Sequence, residues 1–132
     1  MSNIQKDRSY TKDHEWVLLD ENDSGVAIVG ISDYAQSQLG DVVMVELPEV
    51  GDTVDQDEVC GAVESPKSVS DVFSPVTGEI VAVNEELLDQ PELVNAQPYE
   101  EGWMFKIRVS EAKELEGLLD AAGYQALIDD AE

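Results

Sequence analysis

The sequence predicts a mainly β protein: a compact β-sandwich or flattened barrel of short antiparallel strands, with small helices and a helical tail. Three observations carry this. Short apolar, β-branched runs recur at residues 16–20 ("WVLLD"), 25–31 ("GVAIVGI") and 79–84 ("EIVAVN"). Clusters of Gly, Pro, Asp and Asn separate them, as turns between strands require. Helical periodicity is confined to a few places, so the regular strand–helix alternation of an α/β fold does not arise.

Taken in order, the runs at 16–20 and 25–31 flank "ENDS" and Gly25, which reads as a hairpin. "SDYAQSQLGD" reads as a short helix, with Ser32 as N-cap, Asp33 at the positive end and Gly40 just past the last turn. "DVVMVELP" resumes strand character and "EVGDTV" is a turn, followed by the strand "EVCGAVE". "VSDVFSP" and "EIVAVN" are strands on either side of Thr77-Gly78. "EELLDQPELVN" gives a helical turn or two, because Pro91 can begin a helix but not sit inside one. "GWMFKIRV" is the last strand. Beyond Ser110, Leu115, Leu118, Leu119 and Ala122 mark one helical face, with Gly123 interrupting before a shorter final segment. Turns at Gly51 and Gly78 flank the central segment as if two similar halves met there.

The totals bound the function. The 132 residues suit one domain over 1–132, with residues 1–9 a flexible start and 110–132 a helical tail; the 42% apolar content can supply a core. No twenty-residue apolar run suggests a transmembrane helix, and "MSNIQKDRSYTKDHEW" lacks the apolar stretch of a secretory signal. Cys60 is the lone cysteine, which excludes an intrachain disulfide and suits a reducing cytoplasm. Thirty acidic residues against seven basic ones give a formal charge of −23, which argues against nucleic acid or an anionic membrane as partner. The acids are spread along the chain. At about 1 M salt the Debye length is roughly 3 Å, so their mutual repulsion is screened. The composition is haloarchaeal-like, and the charge speaks mainly about solvent.

Against that background one residue stands out. Lys67 is the only lysine or arginine between residues 13 and 105. It lies in "SPKS", between two β runs. Serine then proline is the opening of a type I turn, and proline keeps Ser65 extended. Lys67 takes the third position, in water at a hairpin tip. A solvated turn lysine is the ordinary reading of such a position. In a chain that has shed nearly every other lysine, a retained one at a tip points instead to an amine used as a chemical handle.

"VESPKSVSDVFSPVTGEIVAVN" resembles the lipoyl-lysine segment of the glycine cleavage system H-protein family. "YTKDHEWV", "GISDYAQSQLGDVVMVELPEVG", "PELVNAQPYEEGW" and "ELEGLLDAAGY" resemble it too, in the family's order, over roughly residues 10–125. The resemblance implies a lipoyl-domain-like barrel-sandwich hybrid with lipoic acid in amide linkage to Lys67, a swinging arm of roughly 14 Å by bond-length counting. It implies a carrier that catalyses no step itself. The arm takes the aminomethyl group of glycine from a pyridoxal-phosphate-dependent glycine decarboxylase (P protein) to a folate-dependent aminomethyltransferase (T protein). A dihydrolipoyl dehydrogenase (L protein) then reoxidises it. A lipoate-attaching enzyme is a further implied partner. The family docks its loaded arm in a cleft whose positions correspond to Asp13, Glu15, Ile31 and Asp71. Asp13 departs from a frequent serine. Pro66 departs from the usual valine, which puts recognition by the attaching enzyme in question. An H-like lipoyl donor or redox scaffold outside glycine cleavage is the alternative role.

Other readings are weaker. Asp13, His14 and Glu15 invite an acid–base or metal assignment, but neighbours on a strand alternate faces, and one histidine without a cysteine cluster is poor metal evidence. His14 is expected to be structural, and Trp16 and Trp103 to be core or edge anchors. A biotin carrier would flank its lysine with methionines, whereas the methionines here are 1, 44 and 104. A free-standing 2-oxo acid dehydrogenase lipoyl domain would show Asp-Lys-Ala.

Overall fold

The computed structural model describes residues 4–131. Two antiparallel sheets face each other. The larger comprises β1 (Ser9–Tyr10), β2 (Glu15–Leu19), β3 (Val26–Ile31), β9 (Phe105–Val109), β8 (Gly78–Val83) and β5 (Thr53–Val54), adjacent in that order. The smaller comprises β4 (Met44–Glu46), β6 (Val59–Ser65) and β7 (Ser68–Phe73), with β6 central. The result is a flattened sandwich of two sheets rather than one closed barrel.

The alternation along each strand explains the layers. Val17, Ala27, Val29, Phe105, Ile107 and Ile80 of the larger sheet meet Val45, Val63 and Val72 of the smaller one in the main core. The other face of the larger sheet carries a second cluster built on Tyr10, Trp16, Tyr99, Tyr124 and Ile128. Gly30 is required there, because a Cβ at that position would fall 2.7 Å from the Trp16 indole. The indole N–H donates to the Pro98 carbonyl at 2.9 Å, so Trp16 is an anchor, as expected.

The first hairpin, the helix after it and the strands on both sides of Lys67 match the sequence reading. In α1 (Asp33–Leu39) the Ser32 hydroxyl accepts from the Ala35 N–H, and Gly40 closes the helix at φ 82°. Two short helices, α2 (Glu86–Asp89) and α3 (Leu93–Ala96), flank Pro91. The turns at Gly51 and Gly78 are joined: β5 pairs with β8, and the Gly51 N–H donates to the Ile80 carbonyl.

The C-terminal segment differs from the expected periodicity. Residues Ala112–Gly117 form a 3₁₀ helix, and Leu119 then exchanges two backbone hydrogen bonds with Tyr10. The long helix, α4 (Ala121–Ala131), starts only after that bridge. Gly123 does not interrupt it; it sits in the first turn, its N–H capped by the Asp120 carboxylate at 2.8 Å. The apolar residues at 115–122 thus serve three local structures rather than one helical face. Of the proposed flexible start, residues 1–3 lie outside the described residues. Arg8 is buried, with its guanidinium 4.6 Å from the Trp16 ring, and Ser9 pairs with Val17.

Candidate functional site: the Lys67 hairpin and the pocket beside it

β6 and β7 pair down to Ser65 and Ser68, so only Pro66 and Lys67 make the connection. Proline fixes its own φ near −65°, which excludes the I′ and II′ turns usual in two-residue hairpins. Among the described residues the non-glycine positions at positive φ are His14 and Asp57, so Lys67 has negative φ and a type II turn is excluded too. Negative φ at both positions is compatible with the type I geometry expected from Ser-Pro. The Ser65 hydroxyl closes it by donating to the Ser68 carbonyl at 3.3 Å. Pro66 and Lys67 are both exposed.

The exposed lysine stem leans back toward the body of the protein. Its Cε lies 3.7 Å from where a Cβ on Gly40 would be, so the side chain passes over the end of α1. Glycine leaves that floor free of side chain while adopting the positive φ that ends the helix. Asn95 of α3 holds the floor in place: its amide donates to the Gly40 carbonyl at 2.8 Å and to the Gln36 side chain at 2.9 Å. Its own oxygen accepts from the Val42 N–H. This gives "PELVN" a physical role that the sequence left unassigned.

A pocket of about 340 Å³ opens beside the hairpin, walled by Ser68, Val69 and Ser70 of β7, by Tyr34, Ala35, Gln38 and Leu39 of α1, and by Asp13 and His14. The expectation that neighbouring residues of "DHE" must alternate faces fails for Asp13 and His14. They lie in a turn, with His14 at φ 73°, and both line this pocket. Strand alternation begins only at Glu15.

Of the four cleft positions implied by the family resemblance, only Asp13 lines this pocket. Asp71 is exposed on β7. Glu15 and Ile31 are direct cross-strand partners, 2% and 4% exposed, lying beneath the surface. Glu15 links the sheets: one carboxyl oxygen accepts from the Thr11 hydroxyl at 2.5 Å, the other from the Phe73 N–H at 3.2 Å. Burial pushes its pKa up to about 7, while those two hydrogen bonds pull the other way. Glu15 is therefore a carboxyl whose charge is marginal at neutral pH.

Cys60 lies near this carboxyl. Burial, then the Glu15 and Glu58 charges, push its thiol up to about 12. A thiol so reluctant to ionise is a poor nucleophile.

The site is thus a two-residue tip presenting an exposed lysine, in a two-sheet sandwich with a pocket alongside. The glycine cleavage H-protein family model matches residues 8–131, and the chain belongs to that family. It is 55% identical over 124 residues to the glycine cleavage system H protein of Marinobacter nauticus, covering 94% of each chain. It is 50% identical to that of Photorhabdus laumondii over the full length of both. A crystal structure of the Mycobacterium marinum H protein superposes with a TM-score of 0.84 at 41% identity, covering 93% of this chain and 97% of that one. Members of the family carry a lipoyl group covalently bound to a lysine. The chain is accordingly a non-catalytic lipoyl carrier of glycine cleavage.

Sequence reasoning missed Gly40 as the floor under the lysine, Asn95 as its clamp, and His14 as pocket lining. The contacts of Asn95 with α1 span 55 and 59 residues, and no local pattern reports them.

Proposed function

We propose that Lys67 is the lipoylated residue, and that the chain over 1–132 acts as one carrier domain in the cytoplasm. Its arm moves the aminomethyl group of glycine from glycine decarboxylase to the aminomethyltransferase, and dihydrolipoyl dehydrogenase reoxidises it. A lipoate-attaching enzyme acts first. The observation that carries this reading is the position of Lys67 at a two-residue tip whose stem lies over a side-chain-free floor. The residues present fit the group: Lys67 is exposed for acylation, and the pocket opens beside its hairpin, lined by Ser68–Ser70.

The lipoyl group supplies a dithiolane that takes up the cargo by thiol–disulfide chemistry. The chain's own residues do the rest. Pro66 and the Ser65–Ser68 pair hold the attachment point clear of the sandwich. Asp13 gives the pocket wall a carboxylate that suits an ammonium. Asp71 lies further along β7. Glu15, buried and outside the pocket wall, ties β2 to β7 through the Phe73 N–H and so steadies the strand that carries the Ser68–Ser70 wall. Walls on three sides limit water at a hydrolysis-prone cargo. We read the acidity elsewhere as adaptation of the surface to salt, a reading supported by its spread along the chain.

The test is reconstitution with glycine decarboxylase, following glycine-dependent CO2 release. The lipoylated chain should support release and Lys67→Arg should support none. Equal release by the two would overturn the assignment.

A further inference from the structure

We infer that Tyr124 of the C-terminal helix is a positioning residue for the arm pocket: its single hydroxyl holds two of the pocket's walls in register. This rests on the reading of that pocket as the docking place of the arm on Lys67.

The Tyr124 oxygen lies 2.8 Å from His14 Nδ1 and 2.5 Å from the Ser32 hydroxyl. His14 lines the pocket from the turn before β2. Ser32 is the N-cap of α1, and Ala35, whose N–H it accepts, lines the pocket from the other side. The phenol lies behind both walls and is not itself in the lining.

Proton counting fixes the direction of the chain. Ser32 is fully buried and already accepts from Ala35, so its hydrogen needs an acceptor, which the Tyr124 oxygen provides. The Tyr124 hydrogen then goes to His14 Nδ1. This leaves the imidazole neutral with its hydrogen on Nε2, and burial, opposed by Asp13, favours the neutral ring as well.

His14 needs such support. Its φ of 73° is a conformation that a residue with a Cβ keeps only when its surroundings impose it. The main chain supplies part, through the Ser32 N–H donating to the His14 carbonyl at 2.9 Å. The ring is fixed by Tyr124 and by packing on Tyr34, with centroids 4.9 Å apart. Tyr124 is itself immobilised, stacked on Tyr10 at 4.4 Å with planes 1° apart. The helix after residue 120 is thereby coupled to a site that begins at residue 13.

The test uses the full chain and Tyr124→Phe, which keeps the stack on Tyr10 and removes both hydroxyl contacts. His14 is the only histidine, so its ring resonances are unambiguous. In the unlipoylated wild type, Nδ1 should be bare and hydrogen-bonded, titrating below the ordinary histidine range. In Tyr124→Phe that hydrogen bond should vanish and the midpoint should rise. On the lipoylated chain, reduced and loaded with formaldehyde and ammonia, cargo loss consumes one water and breaks the C–S bond. It returns thiol, formaldehyde and ammonia. Losing these two hydrogen bonds, only part of whose ordering is felt at the cargo, should speed this roughly three- to tenfold, with the rate of lipoylation unchanged. Ile128→Val, which loosens α4 packing but keeps the hydroxyl, should leave both the His14 resonances and the cargo lifetime at wild-type values.

Identical Nδ1 signals in wild type and Tyr124→Phe would overturn the inference, as would equal cargo lifetimes. If wild type protects its cargo no better than a lipoyl-lysine peptide does, the docking reading itself fails. That outcome is distinct from the failure of Tyr124 alone.

Discussion

Glu15 makes the stability of this fold depend on pH in a direction opposite to most carboxylates. In the unfolded chain its pKa returns to the ordinary value of 4.5, while in the folded protein burial raises it to about 7. Below pH 4.5 the group is protonated in both states and contributes no pH dependence. Between 4.5 and 7 the unfolded state gives up its proton and the folded state keeps it. The folded state then binds more protons, so stability falls as pH rises. Above pH 7 both states are ionised and the loss is complete. At about 1.36 kcal/mol per pH unit, the interval from 4.5 to about 7 amounts to a loss of about 3 kcal/mol. Self-repulsion of the acidic surface also grows over this range, so one pH profile does not isolate Glu15. The comparison with Glu15→Gln does, because glutamine fills the same space and cannot ionise. Denaturant unfolding of both proteins at fixed salt, from pH 4 to 8, should show the glutamine variant gaining on wild type by about 3 kcal/mol between pH 4.5 and 7, and holding steady outside that window. Parallel profiles would show that Glu15 ionises normally in the fold, and the argument from burial would be wrong.

Two further outcomes follow from the hairpin and the surface. Pro66→Ala should keep the turn and the acylation of Lys67 while lowering stability by about 0.4–1 kcal/mol, because proline restricts the unfolded chain at a φ it already favours; an increase in stability would mean that proline strains the tip. If the charge of −23 is an adaptation to salt, raising NaCl from about 0.1 to 1 M should raise Tm by roughly 5 °C, as measured by calorimetry. A Tm that stays flat or falls would leave the acidity to be explained by a basic partner.

The fold was legible wherever a local rule had a local cause. Ser32 and Gly40 bound α1 because capping is decided within a few residues, and Ser65-Pro66 set the turn for the same reason. The 3₁₀ helix and the Leu119–Tyr10 bridge were hidden, because the same leucines satisfy helical spacing and only the distant partner strand selects otherwise. At the site, Lys67 was legible from its isolation among acids. The pocket beside it was not. His14 enters it through a left-handed backbone that strand periodicity does not foresee, and Asn95 and Tyr124 act across 55 and 110 residues of chain. Burial of Glu15 was hidden too, because an acid at the start of a strand reads as surface until β7 is seen to lie over it.

The most direct test of the central claim is the intact mass of the chain isolated from its native host, with Lys67→Arg expressed beside it. The wild-type chain should carry one lipoyl group, mapped to Lys67 by peptide fragmentation, and Lys67→Arg should carry none. An unmodified wild-type chain, or a lipoyl group on any other lysine, would contradict the account.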